Sequence, residues 1–243
     1  MTEIKICGIT NKEDALFAAS CGADALGFIF YPPSPRYISP GKARAIIACL
    51  PPEVVKVGVF VNHDVSEVER IRQYCGLDLI QLHGDETPDY CRRFAPSLLI
   101  KALSPQNDAD LDALDRYEVR AVLVDARDKG RYGGTGLTSD WDLAVKVKKT
   151  HSLILSGGLK EENITEAIAR VSPQAVDISS GIESAPGKKD HGKLRNIIEI
   201  IRNLDDINCR SREACPRAGG ERKSSIFKNS SELSALIKNT FLP

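Results

Sequence analysis

Eight short β-rich runs, each followed by a connection that can carry a helix, pace the chain: EIKIC (3–7), ALGFIF (25–30), VVKVGVFV (54–61), LDLIQLH (77–83), LLIKAL (98–103), AVLVD (121–125), SLILSG (152–157) and AVDIS (175–179). Between them lie helical patterns such as KEDALFAASCG, SPGKARAIIACL, DVSEVERIRQYCG, DETPDYCRRFA, TSDWDLAVKVKK, KEENITEAIARV and HGKLRNIIEIIRNL. Several open on Asn, Ser, Asp or Thr, whose short oxygens cap a helix start, and two run into a Gly, which caps its end. Parallel strands need long crossovers, so regular βα alternation demands a parallel sheet. Eight repeats in about 200 residues is the count that closes a (β/α)8 TIM barrel. An open doubly wound sheet, the alternative, more often runs to five or six strands.

A barrel makes a parity prediction, because alternate residues of each strand point inward. Lys5 and Cys7, Gln81 and His83, Leu123 and Asp125, and Asp177 and Ser179 share one side. Ile4, Ile6, Ile80, Leu82, Val124, Val176 and Ile178 share the other. The apolar set belongs against the helices. Lys5, Gln81 and Asp177 therefore point inward, and buried polar groups are costly unless paired, so a hydrogen-bonded network is expected inside.

The bulk properties exclude more than they assign. Lys+Arg and Asp+Glu number 33 each, so no net field argues for nucleic acid or an anionic membrane surface. No apolar run approaches the roughly 18 residues of a membrane span, and the N-terminus lacks a signal-peptide pattern, so the cytoplasm is the expected compartment. The seven cysteines are odd in number and scattered, with no CxxC pair, and the four histidines lie far apart. Neither a disulfide framework nor a sequence-local metal site is expected.

Chemistry in such a fold belongs to the strand C-terminal ends. Cys7 sits where the first strand runs out, as either a catalyst or a small buried hydrophobe. SGGL (156–159) follows the seventh strand, and its Gly157 and Gly158 let backbone approach a phosphate near a helix start. Ser180 and Gly181, after the eighth strand, complete such a cradle. Asp125 closes the sixth strand; burial there would raise a carboxyl's pKa and keep a proton available, unless the residue is simply paired. The loop after it carries Gly133 and Gly134 and resembles a lid. YPPSPRYISP (31–40) stiffens Arg36 into one direction, and an arginine fork suits a carboxylate or phosphate.

KICGIT, GFIFYPPSPRYISP, VGVFVN, IQLHGDE, LVDARDKGRYGGTGLTSDW, LSGGL, AVDISSGIE and PGKKD resemble the phosphoribosylanthranilate isomerase family of tryptophan biosynthesis, in order from Lys5 to about Leu204. The resemblance implies an Amadori rearrangement of a small phosphorylated substrate, with neither cofactor nor metal, by a monomer or homodimer. It implies Cys7 as general base, Asp125 as general acid and Arg36 as anchor for the anthranilate carboxylate. The SGGL glycines with Ser180 and Gly181 would hold phosphate, and His83, Gly133, Gly134 and Asp177 complete the expected substrate-binding set. Lys5 is expected to help lower the Cys7 pKa. Another phosphosugar isomerase, or a non-catalytic phosphometabolite-binding barrel with a partner-recruiting tail, are the alternatives.

Residues 1–204 are thus expected to form the barrel domain and 205–243 a polar C-terminal extension. Its first part, 205–225, reads as a poorly ordered linker, and SSELSALIKNTF (230–241) as a short amphipathic helix with Leu233, Leu236 and Ile237 on one face.

Overall fold

Parallel strands β1 (Glu3–Cys7), β2 (Ala25–Ile29), β3 (Val55–Phe60), β4 (Leu79–Leu82), β5 (Leu99–Leu103), β6 (Ala121–Val124), β7 (Leu153–Leu155) and β8 (Ala175–Ile178) pair in chain order, and β8 closes back onto β1. The computed structural model describes residues 1–125, 140–213 and 225–227. All eight predicted runs become strands, with ends shifted by at most two residues.

The parity prediction holds. Ile4, Ile6, Ile80, Leu82, Val124, Val176 and Ile178 face the helices in one buried cluster. Ala25, Val55, Val57, Leu79, Ile100, Ala102, Ala121, Leu123, Ile154 and Ala175 fill the barrel interior in another. Lys5, Gln81 and Asp177 lie above this apolar floor, toward the strand C-termini. Small Ala alternates with branched Val, Ile and Leu there, which lets neighbouring side chains interdigitate.

Local chemistry sets the helix ends. Asn11 accepts the Asp14 amide at 2.8 Å and starts α1 (Lys12–Ser20). Prolines open α2 (Pro40–Ile47) and α4 (Pro88–Cys91), where their missing N–H costs nothing. Gly76, at φ 70°, ends α3 (Val65–Cys75) in the left-handed conformation. Asp140 caps α6 (Trp141–Val147). The stretch DETPDYCRRFA yields only the single turn of α4. A short α5 (Asp108–Asp112) appears where no helix was expected, in an acidic segment with little apolar periodicity.

Two corrections concern the C-terminal side. After α7 (Ile164–Val171), helix α8 spans His191–Glu213 and does not stop at Leu204. The DDINCRSRE segment is polar, but polar residues extend a helix into water as readily as they form a linker, and no Gly or Pro interrupts it. Asp205 also anchors it, accepting from the Thr2 amide at 2.8 Å, while Arg202 bonds the Thr2 and Gly22 carbonyls and the Asp24 carboxylate. Second, Ser225–Phe227 at the end of the expected linker is packed, with Ile226 and Phe227 inside the barrel-floor cluster. The expected 230–241 helix lies outside the described residues. Among the described residues no helix is long and apolar enough to cross a membrane.

Candidate active site

Cys7 ends β1 and points into the barrel mouth, 6% exposed. Its position is held through its backbone: its carbonyl accepts from Lys189 Nζ at 2.6 Å and Ser179 Oγ at 3.1 Å. Gly27 on β2 provides the room, since a Cβ there would stand 2.7 Å from Cys7 Sγ and 3.2 Å from Lys5 Nζ. A glycine inside a strand marks such close approach.

Below the thiol, Lys5 Nζ lies 2.8 Å from Asp177 Oδ1, an ion pair deep in the barrel without the alignment of a hydrogen bond. Burial lowers the Lys5 pKa, but the charges of Asp177 and Cys7 outweigh it and hold the ammonium above its ordinary value. Burial, then Asp177, push the Cys7 thiol upward; Lys5 and Lys189 pull it down without cancelling them. Lys5 thus lowers the Cys7 pKa in the expected direction, but burial and Asp177 outweigh it in the substrate-free protein. Asp177 has largely neutralised the cation that was to act on sulfur, and Asp177 itself is occupied by Lys5.

Asp125 follows β6, three strands from β1 by the shorter way around the barrel. Its Oδ2 lies 3.2 Å from His83 Nε2, and His83 Nδ1 lies 2.9 Å from Gln81 Nε2. With the Gln81 amide nitrogen turned to Nδ1, that ring nitrogen accepts and Nε2 carries the hydrogen donated to Asp125. Of the expected interior network, the Gln81 nitrogen reaches the carboxyl through His83, whereas Gln81 Oε1 has no hydrogen-bond partner among the described residues and Lys5 and Asp177 meet as an ion pair. The His83 loop is itself fixed: Glu86 accepts the Asn62 and Gly84 amides and pairs with the buried Lys101 at 2.7 Å.

Arg36 is 8% exposed, and its loop is pinned by Ile38 N–H donating to the Ile29 carbonyl at 3.0 Å. Its Nε and Nη2 grip Glu183 at 2.7–3.1 Å. Lys189 Nζ lies 3.0 Å from the same carboxylate. Burial would raise the Glu183 pKa, but Arg36 and Lys189 hold it below the usual carboxylate range. Glu183 takes one edge of the fork and leaves the Nη1–Nη2 edge for a second carboxylate. The arginine also crosses Gly8, at φ 76°, where a Cβ would meet Arg36 Cδ at 2.7 Å.

The loops after β7 and β8 meet. Gly157 and Gly158 have φ 89° and 58°, which favour glycine, and the Asn163 amide braces the turn by donating to the Gly158 carbonyl at 2.9 Å. Gly181, in the single turn Ser180–Ile182, abuts this loop so closely that a Cβ would lie 2.0 Å from the Leu159 carbonyl oxygen. Gly181→Ala is expected to force the loops apart, lowering the melting temperature by about 2–10 °C and raising KM for a phosphorylated ligand at least ~10-fold. Thermal melts and steady-state kinetics check this; unchanged KM would remove Gly181 from the phosphate cradle.

Cys7, Arg36, His83, Asp125, Gly157, Gly158, Ser180 and Gly181 lie at the C-terminal mouth and Asp177 deeper, paired with Lys5, whereas Gly133 and Gly134 lie outside the described residues. Glu183 and Lys189 were missed as site residues, although both stand in motifs that carried the resemblance.

The profile of the N-(5'-phosphoribosyl)anthranilate (PRA) isomerase family matches residues 4–200. The chain belongs to this family. It is 58% identical over 207 residues to N-(5'-phosphoribosyl)anthranilate isomerase of Syntrophus aciditrophicus (strain SB), covering 85% of this chain and 90% of that one. The crystal structure of phosphoribosyl anthranilate isomerase from Thermotoga maritima superposes with a TM-score of 0.77 at 45% identity, covering 84% of this chain and all of the other. A phosphoribosyl anthranilate isomerase in complex with reduced 1-(o-carboxyphenylamino)-1-deoxyribulose 5-phosphate superposes with a TM-score of 0.75 at 44% identity, with the same coverage.

Proposed function

We propose that this protein is the phosphoribosylanthranilate isomerase of tryptophan biosynthesis, converting N-(5-phosphoribosyl)anthranilate into the 1-deoxyribulose 5-phosphate aminoketose, with Cys7 as general base and Asp125 as general acid. The carrying observation is that the two inward residues from β1 and β6 stand over one mouth whose rim holds both a carboxylate-ready arginine and a glycine cradle. Asp125 gives its proton to the furanose ring oxygen, the C1–O bond breaks, and the anilino nitrogen lone pair forms an iminium. The hydrogen bond from His83 Nε2 strengthens as negative charge develops on Asp125, which favours the step. Cys7 then removes the proton from sugar carbon 2, giving an enolamine that tautomerises to the ketone.

A neutral thiol is a poor base, and the buried Cys7 is poorer than most in the free protein. The cationic iminium adds to Lys5 and Lys189 a further positive charge beside sulfur, one that Asp177 does not offset and that is present only once ring opening has occurred. Arg36 binds the anthranilate carboxylate through its open edge, oriented by Glu183.

Loss of substrate fluorescence on adding purified protein to freshly made phosphoribosylanthranilate tests the activity; no turnover by folded protein would return the reading to a binding barrel. An aniline analogue lacking the carboxylate is expected to lose about 30- to 4,000-fold in kcat/KM, the range of about 2–5 kcal/mol for truncating one partner of a buried, hydrogen-bonded charge pair. In Arg36→Ala that discrimination should collapse; a full penalty retained there would place the carboxylate elsewhere.

A further inference from the structure

The barrel has a second built site at its other end. Glu3, at the start of β1, is a buried carboxylate, 6% exposed. It accepts the Ile226 amide at 2.8 Å, the Phe227 amide at 3.2 Å and the Ser225 hydroxyl. From the opposite side Arg120, just before β6, donates Nε–H to the Ile226 carbonyl at 2.6 Å and Nη2–H to the Ser225 carbonyl at 3.3 Å. Burial lowers the Arg120 pKa, opposed by the charge of Glu3. Between these clamps Ile226 and Phe227, each 2% exposed, join Ala25, Val55, Ala121 and Ala175 in the interior cluster.

We propose that the N-terminal floor of this barrel is a peptide-binding socket, and that Ser225–Ile226–Phe227 of the same chain is its resident ligand. Recognition has two parts. Glu3 and Arg120 read backbone donors and acceptors from either side, and a hollow lined by small residues takes one branched and one aromatic side chain. The two halves are mutually dependent: without the tripeptide the Glu3 carboxylate would lose three donors, and the interior cluster would lose Ile226 and Phe227. The occupant comes from beyond residue 200, where the family match ends, so the plug is an addition to the shared barrel. The floor lies at the strand N-termini, where barrel conservation and packing serve stability and not chemistry.

The test uses the full chain. Amide hydrogen exchange at Ile226 and Phe227 is expected to be slowed at least ~10-fold relative to an unstructured peptide, and Glu3→Gln should shed most of that protection. Ile226→Ser/Phe227→Ser should lower the melting temperature by about 5–15 °C while leaving kcat and KM for the isomerisation unchanged. A synthetic acetyl-KSSIFKN-amide peptide added to that double variant should raise its melting temperature again. Amides at 226 and 227 exchanging at the free-peptide rate in the wild type would overturn the proposal, as would a double variant that melts like the wild type. Protection that rises with protein concentration together with dimer formation would overturn the assignment to the same chain and give the socket to a second copy.

Discussion

Replacing Cys7 with alanine is expected to cut kcat by about 10²–10⁴-fold, the usual contribution of a positioned acid or base, with little change in KM. Its two nearest ionisable neighbours are not placed to substitute: Lys5 is held protonated, and Asp177 is engaged with it. The thiol should also report its surroundings. In the difference between thiolate absorbance titrations of the wild type and Cys7→Ser, the Cys7 midpoint should fall above the ordinary 9.0 in the absence of substrate, because burial and Asp177 both oppose ionisation. The linked stability follows the same sign. A thiol whose folded pKa is raised contributes fully below its unfolded pKa, and the contribution is lost as pH rises through the folded value. A midpoint below 9.0 would mean that Lys5 and Lys189 dominate after all, and the iminium would no longer be required to activate the base.

Asp125→Asn is expected to lower kcat by a similar factor, about 10²–10⁴, again with KM nearly unchanged. Asparagine keeps the shape and can still accept from His83 Nε2 but has no proton to give. Loss of activity with retained binding of a product analogue therefore isolates proton transfer from positioning. If Asp125→Asn turned over at near the wild-type rate, ring opening would have to draw its proton from another group. Because the two residues act at successive steps on one substrate, the double variant should be little worse than the poorer single variant.

The strands and their inward faces were legible because a period of two survives in each short run, and a one-residue error would have turned every side chain over. The same logic placed Cys7, His83 and Asp125 at one mouth. What stayed hidden was pairing across long separations. Arg36 and Glu183 are 147 residues apart, and only closure of the barrel brings them together. Glu183 was not singled out from the sequence, so Arg36 stood as a lone anchor when it is one half of a bidentate pair. The help expected from Lys5 was outweighed for a related reason: proximity along β1 was visible, but the opposing charge of Asp177 on β8 depended on which strand closes next to which. The C-terminal segment was misjudged from composition alone. Polarity suggested a linker where the backbone of α8 continues to Glu213, and two apolar residues in a row, Ile226 and Phe227, were too short a signal to mark a plug.

The pairing of β1 with β8 has a temporal side. A ribosome making this chain releases the Glu3–Cys7 segment long before Ala175–Ile178 exists to lie against it. At roughly 5–20 residues per second that interval is on the order of ten to thirty seconds, during which one edge of the nascent sheet has no neighbour. Ile4 and Ile6 are then open to chaperones or to other nascent chains. The thiol that the finished barrel buries is, over the same seconds, within reach of any oxidant or alkylating agent in the cell, so damage to Cys7 should track the rate of synthesis more than the amount of folded protein.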